Sequence, residues 1–350
     1  MADSAGSTLK AGASPTPPRG LVWASDERPG IRRERAAQGF TYRGTDGRRL
    51  RNAEELARIH KLAIPPAYED VWICPKPNGH LQATGRDARG RKQYRYHPDW
   101  RLAKDGDKFE RMLEFGATLP RIRSRVKADL ARPVGERPGR ETVLATIVRL
   151  LDTTLVRIGN EEYARANRSF GLTTLRNRHA AFKGSRLHLR FTGKSGKEHE
   201  IALEDPRVAR VVRRCQAMPG QELFQYQDED GERRAIDSAD VNDYLREASG
   251  AEFTAKDFRT WHGTVHALDL WAVQCAAHAS RRRTANQLLG DVAARLGNTV
   301  AVCKKSYVHP RVLETLASVA DAKVLARMSP ARRAGLTVAE RRLLKFLARP

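Results

Sequence analysis

The chain has 350 residues, 40% of them hydrophobic, which is enough for one large or two modest domains with a proper core. Lysine and arginine total 64 against 41 acidic residues, giving a formal net charge of +23 and a pI near 10.4. That excess costs a compact protein self-repulsion and points to a polyanionic partner, nucleic acid before an anionic membrane. No apolar run approaches the ~18 residues of a spanning helix, and no basic amphipathic helix shows a bulky aromatic face. The N-terminus lacks the apolar core of an export signal, so a cytoplasmic, nucleoid-associated protein is expected. Cys74, Cys215, Cys275 and Cys303 form no C-x-x-C pair, and no histidine cluster has zinc spacing. They read as reduced structural thiols, with no metal expected. The sequence has no G-x-x-x-x-G-K-[ST] loop, so no cofactor is expected either.

The expected fold is α+β, a small β-rich N-terminal domain followed by a larger, mainly helical one with a small antiparallel β element. Residues 1–34 begin with Ala, Ser, Gly, Thr and Pro and read as a flexible tail. Within 35–105, Phe40-Thr41-Tyr42, Val71-Trp72-Ile73-Cys74 and Leu81 to Gly85 are predicted strands, and Ala53 to Leu62 a helix. A basic loop from Arg86 then leads into Arg91-Lys92-Gln93-Tyr94-Arg95-Tyr96, alternating aromatic and polar. Such a segment suits a nucleic-acid groove, with cations for phosphate and Gln93 for a base edge. A solvated charged hairpin is the plainer alternative.

In 106–350 a helix begins at Phe109, and Pro120 is expected to start a new segment running to Leu130. Thr142 to Val156 has the best helical periodicity, with Gly159 as its expected stop and Arg157 in the last turn. Strands are expected at Gly171 to Leu175, Leu187 to Phe191 and His199 to Leu203. The hairpin tip Thr192 to Glu198 carries Lys194, in a place better suited to function than to packing. Arg259 lies between Phe258 and Trp261 in a segment too apolar for a simple exposed loop, and an arginine there without a carboxylate asks for an anion. Tyr307 stands near Lys304, Lys305 and His309; alone it would pass as a packed aromatic.

Taken together, these residues resemble the poxvirus-like, bacterial type IB DNA topoisomerases over roughly residues 38 to 315. The resemblance rests on Gly90-Arg91-Lys92-Gln93-Tyr94, on Arg157-Ile158-Gly159 followed by Gly171 to Leu175, and on Phe191-Thr192-Gly193-Lys194. Lys256-Asp257-Phe258-Arg259-Thr260 and Leu296-Gly297-Asn298-Thr299 through Tyr307 complete it. It implies a tyrosine recombinase/topoisomerase IB-like catalytic domain behind a DNA-clamp domain, acting on double-stranded DNA as a monomer. It also implies Tyr307 as nucleophile, Arg157 and Arg259 on the transition state, Lys194 as general acid, and Asn298 as a helper where the poxvirus member has histidine. Arg91, Lys92, Gln93, Tyr94, Tyr96, Lys256, Lys304 and Lys305 are the DNA contacts it suggests. The activity implied is relaxation of supercoils of either sign through a 3′-phosphotyrosyl intermediate. Two rivals share the basic charge. A tyrosine recombinase has a similar residue set, but its usual signature puts histidine where Lys256 stands and a helical domain in front. A non-catalytic DNA binder leaves Arg157, Lys194, Arg259 and Tyr307 unexplained.

Overall fold

The computed structural model describes residues 20–37, 39–87, 90, 92–100, 108–135, 137–161, 164–165, 168–276, 283–317, 328 and 331–349. The chain divides into two compact units, Met1–Gly106 and Asp107–Pro350.

The first unit is built on an antiparallel five-stranded sheet in the order β2-β1-β3-β4-β5. Its strands are β1 (Ile31–Arg35), β2 (Phe40–Arg43), β3 (Glu69–Ile73), β4 (Leu81–Arg86) and β5 (Lys92–Tyr96), with helix α1 (Ala53–Lys61) between β2 and β3. Alternation along β3 splits its side chains. Val71 and Ile73 join Ile31, Tyr42, Ile59 and Ala83 in one core, while Trp72 and Cys74 meet Leu81 on the other side. Asn52 caps α1 by accepting from the Glu55 N–H at 2.9 Å. The expected tail boundary at residue 34 is wrong, because β1 runs across it and pairs with both β2 and β3. Its sequence, IRRER, has a single apolar residue and no hydrophobic alternation to betray a strand. Arg33 compensates by donating to Pro65 O at 3.1 Å and lying over the Phe40 ring at 4.1 Å.

The second unit is mainly helical. Its helices are α2 (Met112–Ala131), α3 (Arg140–Thr154), α4 (Pro206–Ala217), α5 (Ser238–Ser249), α6 (Ala255–Ala276), α7 (Ala285–Leu296), α8 (Val300–Ser306), α9 (Pro310–Ala317) and α10 (Val338–Leu347). A three-stranded antiparallel sheet, β6 (Ala180–Lys183), β7 (Arg186–Thr192) and β8 (Glu198–Leu203), stands beside them, with a small pair of β9 (Gln225–Gln227) and β10 (Arg233–Ala235). One continuous core runs through α2, α3, α6 and α7.

Three expectations fail here, each for a local reason. Pro120 does not divide α2 but sits inside it, leaving residue 116 without its usual donor. Helix packing outweighs that loss, since Gly116 lets Trp261 pack where a Cβ would come within 2.2 Å of the ring. Residues 172–174 form a 3-10 turn, not a strand; Thr174 accepts the Gly171 N–H at 2.9 Å through its hydroxyl and closes the turn on itself. Helix α3 stops at Thr154, with Leu155 in the left-handed region at φ 60°, four residues before the glycine expected to end it. Arg157 therefore lies beyond the helix rather than in its last turn.

Candidate active site

Arg157 is held by backbone packing. Its carbonyl accepts the Leu172 N–H at 2.9 Å, and that of Ile158 accepts the Thr173 N–H at 2.7 Å. Gly159 and Gly171 make this approach possible, because a Cβ on Gly171 would lie 2.5 Å from the Gly159 Cα. The glycine that seemed to stop a helix serves a backbone crossing.

Arg259 projects from the start of α6 and is only 4% exposed. Its Nη1 donates to Leu155 O, and its Nη2 donates to Leu296 O at 2.7 Å. These carbonyls close the C-terminal ends of α3 and α7, where the helix dipoles favour a cation. Its Nε is buried without a hydrogen-bond partner.

Asn298 sits in the turn between α7 and α8. Gly297, at φ 61°, and Asn298 send their N–H groups back to Ala294 O at 3.1 Å and Ala293 O at 2.9 Å, a Schellman closure of α7. Thr299 then caps α8 by accepting from the Val302 N–H at 3.3 Å. The Asn298 side-chain oxygen accepts from Arg157 Nη2. Arginine donates only, so this bond fixes the amide orientation and turns Nδ2 the other way, where it is buried toward the Cys303 thiol without reaching hydrogen-bond range of any partner.

Tyr307 follows α8. Its N–H bonds Cys303 O at 2.9 Å, and its carbonyl lies 3.2 Å from Thr264 Oγ1. Thr264 also accepts the His309 N–H at 3.1 Å, so α6 grips the chain on both sides of the tyrosine. Lys108 Nζ donates to Ser306 O at 2.6 Å. The Arg259 guanidinium carbon is 5.0 Å from the Tyr307 ring centroid. Burial alone would raise the phenol above its ordinary value. The charge and hydrogen bond of Arg259, then the charges of Arg157 and Lys194, outweigh that and hold it below. Arg157 is itself depressed, by burial and by Arg259, yet an arginine remains a cation at neutral pH.

Lys194 stands exposed at the β7–β8 tip, its charge felt at Tyr307. The fold thus brings Arg157, Arg259, Asn298 and Tyr307 into one cluster, with Lys194 at its open edge. Sequence reading missed His199 of β8, which stacks on Phe191 at 5.0 Å and lies close enough to Arg157 and Arg259 for their charges to depress it, after burial. The usable signal was the hairpin register, in which His199 pairs with Phe191 two residues before Gly193.

The suggested DNA contacts fall elsewhere. Lys256, Lys304 and Lys305 are exposed, with Lys304 Nζ on Asn286 Oδ1 at 2.7 Å. In the first unit, Lys92 pairs with Asp26 at 2.7 Å, and Gln93 Nε2 donates to Asp87 Oδ2 at 3.0 Å. Tyr94 and Tyr96 are exposed and stacked, 6.1 Å apart with planes 11° from parallel. Arg91 lies outside the described residues. Among the described residues no group of three or more His, Cys, Asp or Glu side chains is arranged to hold a metal ion.

Comparison with known proteins gives the family. A family profile described as "Eukaryotic DNA topoisomerase I, catalytic core" matches residues 97–328, and one described as "Bacterial DNA topoisomerase IB, N-terminal domain" matches residues 39–87. The chain is 32% identical over 299 residues to DNA topoisomerase 1B of Acanthamoeba polyphaga mimivirus, covering 81% of this chain and 87% of that protein. It is 25% identical over 140 residues to DNA topoisomerase 1B of Vaccinia virus (strain Copenhagen), covering 39% of this chain and 42% of the other. With DNA topoisomerase 1 of Mycosarcoma maydis it shares 26% over 162 residues, 44% of this chain and 16% of that one. The two profiles, in this order along the chain, and the extent of the mimivirus match place this protein in the type IB DNA topoisomerase family.

Proposed function

We propose that Tyr307 attacks a phosphodiester of duplex DNA and that the arginines, Lys194 and Asn298 carry the reaction around it. The observation that carries this reading is the pair of orphan donors, Arg259 Nε and Asn298 Nδ2, buried beside a phenol whose acidity is enhanced. Buried donors without partners are rare and ask for an explanation. A phosphoryl group supplies one, since its non-bridging oxygens accept from both.

The phenolic oxygen bonds to phosphorus, and the phenolic proton is lost to solvent. The P–O5′ bond breaks, and Lys194 gives its proton to the departing 5′ oxygen. The product is a 3′-phosphotyrosyl adduct and a free 5′-hydroxyl. One ester replaces another, so the bond's free energy is kept and resealing needs no nucleotide. Charge accumulating on the five-coordinate phosphorus is met by the guanidinium forks of Arg157 and Arg259. Asn298 adds a neutral donor. While the strand is open, the broken end swivels and relaxes torsion of either sign.

In the first unit Lys92, Gln93, Tyr94 and Tyr96 contact the same duplex, and the protein acts as a monomer. Lys92 and Gln93 exchange their bonds to Asp26 and Asp87 for DNA when it binds. Such phosphate contacts make affinity fall steeply with salt. The test is to denature the protein during plasmid relaxation, with chelator present and no nucleotide. Covalent protein–DNA adduct is expected from the wild type and none from Tyr307→Phe. A Tyr307→Phe protein that still relaxes plasmid would refute the assignment.

A further inference from the structure

Gly193 is a glycine for a reason its backbone does not supply. Its φ of −96° is open to any residue, yet a Cβ there would lie 2.6 Å from both Cδ2 and Nε2 of His199. The same ring reaches the opposite wall, where a Cβ on Gly297 would meet His199 Cε1 at 3.1 Å. Gly193 precedes Lys194 and Gly297 precedes Asn298, so one imidazole is wedged between the backbones that carry those side chains. Phe191 takes another face of the ring, stacked with planes 16° apart across the β7–β8 pair. Lys197, from the same hairpin, donates to Asn298 O at 3.3 Å. Burial, then the charges of Arg157, Arg259 and Lys197, hold His199 below its ordinary value. The wedge is therefore a neutral ring and adds no further cation to a crowded site.

We propose that His199 is a positioning residue, a spacer that sets the Lys194 tip at working distance from the Gly297–Asn298 turn. The inference rests on the reading of Lys194 as proton donor to the 5′ oxygen. Lys194 is exposed at a tip closed on itself by Gly193 N–H to Lys197 O at 2.7 Å and Gly196 N–H to Gly193 O at 3.2 Å. Among the described contacts only the exposed Lys197 side chain and the His199 ring join that tip to the Gly297–Asn298 turn. Hairpin tips move unless something stops them. The ring is that stop, and both glycines are shaped to receive it. Removing it leaves a ring-sized gap between two mutually dependent walls.

The test compares two duplex substrates, one with the natural 5′ oxygen at the scissile phosphate and one with a bridging 5′ sulfur. A thiolate, with a reference pKa of ~8.5, leaves without a proton, whereas an alkoxide does not. His199→Ala should slow single-turnover adduct formation on the oxygen substrate by about 10², the lower range for loss of general-acid help, and leave the sulfur substrate near wild type. Lys194→Ala should show the same relief by sulfur, beside a smaller slowing of both substrates as the Tyr307 phenol loses a neighbouring cation, and the double variant should be no slower than Lys194→Ala alone. Gly193→Ala, harmful beside the ring, should add nothing once His199 is alanine. If His199→Ala fails to fold by thermal unfolding, Gly193→Ala carries the same substrate comparison. Equal slowing on both substrates, or multiplicative losses in the double variant, would overturn the inference. Sulfur relief for Lys194→Ala without relief for His199→Ala would overturn it alone. A Lys194→Ala defect that sulfur does not relieve would overturn the proton-donor reading and this inference with it.

Discussion

Gly263→Ala separates the stability of this protein from its chemistry. Gly263 lies inside α6, where alanine is favoured over glycine by about 1 kcal/mol. A Cβ there would lie 2.7 Å from Tyr307 O, 3.1 Å from Leu296 Cδ1 and 3.3 Å from Tyr307 Cβ. The first of these is backbone and has no rotamer to turn away. To reach ordinary contact, the tyrosine's main chain must retreat by about 0.7 Å, against a scale on which ~1 Å of misplacement costs about 10² in rate. Adduct formation on a suicide duplex should therefore fall by about 10 to 10². The gain in helix propensity offsets part of an overpacking cost of about 1–3 kcal/mol, so the unfolding midpoint in urea should move little. DNA affinity should be unchanged, because the cations that meet phosphate are untouched. A variant that cleaves at the wild-type rate would show that the seat of Tyr307 on α6 does not matter. A variant that is slow only because it is unfolded would appear in the urea titration.

Asn298→Asp places a carboxylate against Arg157 in the same volume; the unfolding temperature should rise while adduct formation falls by about 10²–10³, as for loss of a preorganised donor. Wild-type cleavage would show that Nδ2 faces no phosphate. The phenol of Tyr307 is held below its ordinary value, with Lys194 among the causes, so the cleavage rate should climb with pH through an apparent pKa below ~10. Lys194→Arg, which keeps a cation, should leave that rise in place, and Lys194→Gln should move it upward; a downward move would contradict the charge argument. Arg123 binds Asp152 at 2.8 Å and Glu340 at 2.8 Å, and Arg123→Met should cost about 3–5 kcal/mol in urea unfolding by leaving Glu340 without a cation and Asp152 with His262 alone. Burial opposes ionisation of both carboxylates, but His262 and Arg123 beside Asp152, and Arg123 beside Glu340, hold them below their ordinary values. Their contribution is thus present above the unfolded range of ~4 and lost as pH falls through the lower folded values; Arg123→Met should flatten that acid limb.

The sequence was most legible where side-chain period met backbone period. The apolar run from Val143 to Leu155 reads as a helix because every turn is buried, and β7 reads as a strand because Leu187, Leu189 and Phe191 alternate inward. It was least legible where backbone geometry, rather than burial, set the structure. Neither the left-handed Leu155 nor the crossing of Gly159 by Gly171 leaves a hydrophobic pattern, so the end of α3 was misplaced. The strand β1 was hidden for the opposite reason, since Arg33 at its centre serves as a hydrogen-bond donor and ring partner instead of as part of a solvated tail. For the site, the family resemblance carried by five short motifs in order pointed to Arg157, Lys194, Arg259, Asn298 and Tyr307, while the means of holding them did not show. The carbonyl anchors of Arg259, the Schellman turn under Asn298 and the His199 wedge are contacts between segments far apart in the chain.

The arginines of this unit divide by the partners they keep. Arg123 is half-buried against two carboxylates, and its charge is spent on joining α2, α3 and α10. Arg259 is more deeply buried, yet its partners are the terminal carbonyls of α3 and α7, and Arg157 leans on an amide oxygen. Carbonyl dipoles replace part of the water a buried guanidinium loses but leave its net positive charge uncompensated. No carboxylate hydrogen-bonds to either residue among the described contacts, and the depression of Arg157 by burial and by Arg259 is the mark of charges that repel one another. An isolated fold gains nothing from that repulsion. A fold that must bind a phosphodiester and stabilise added charge on it does, because the same field that strains the free protein lowers the phenol of Tyr307 and is relieved when phosphate arrives.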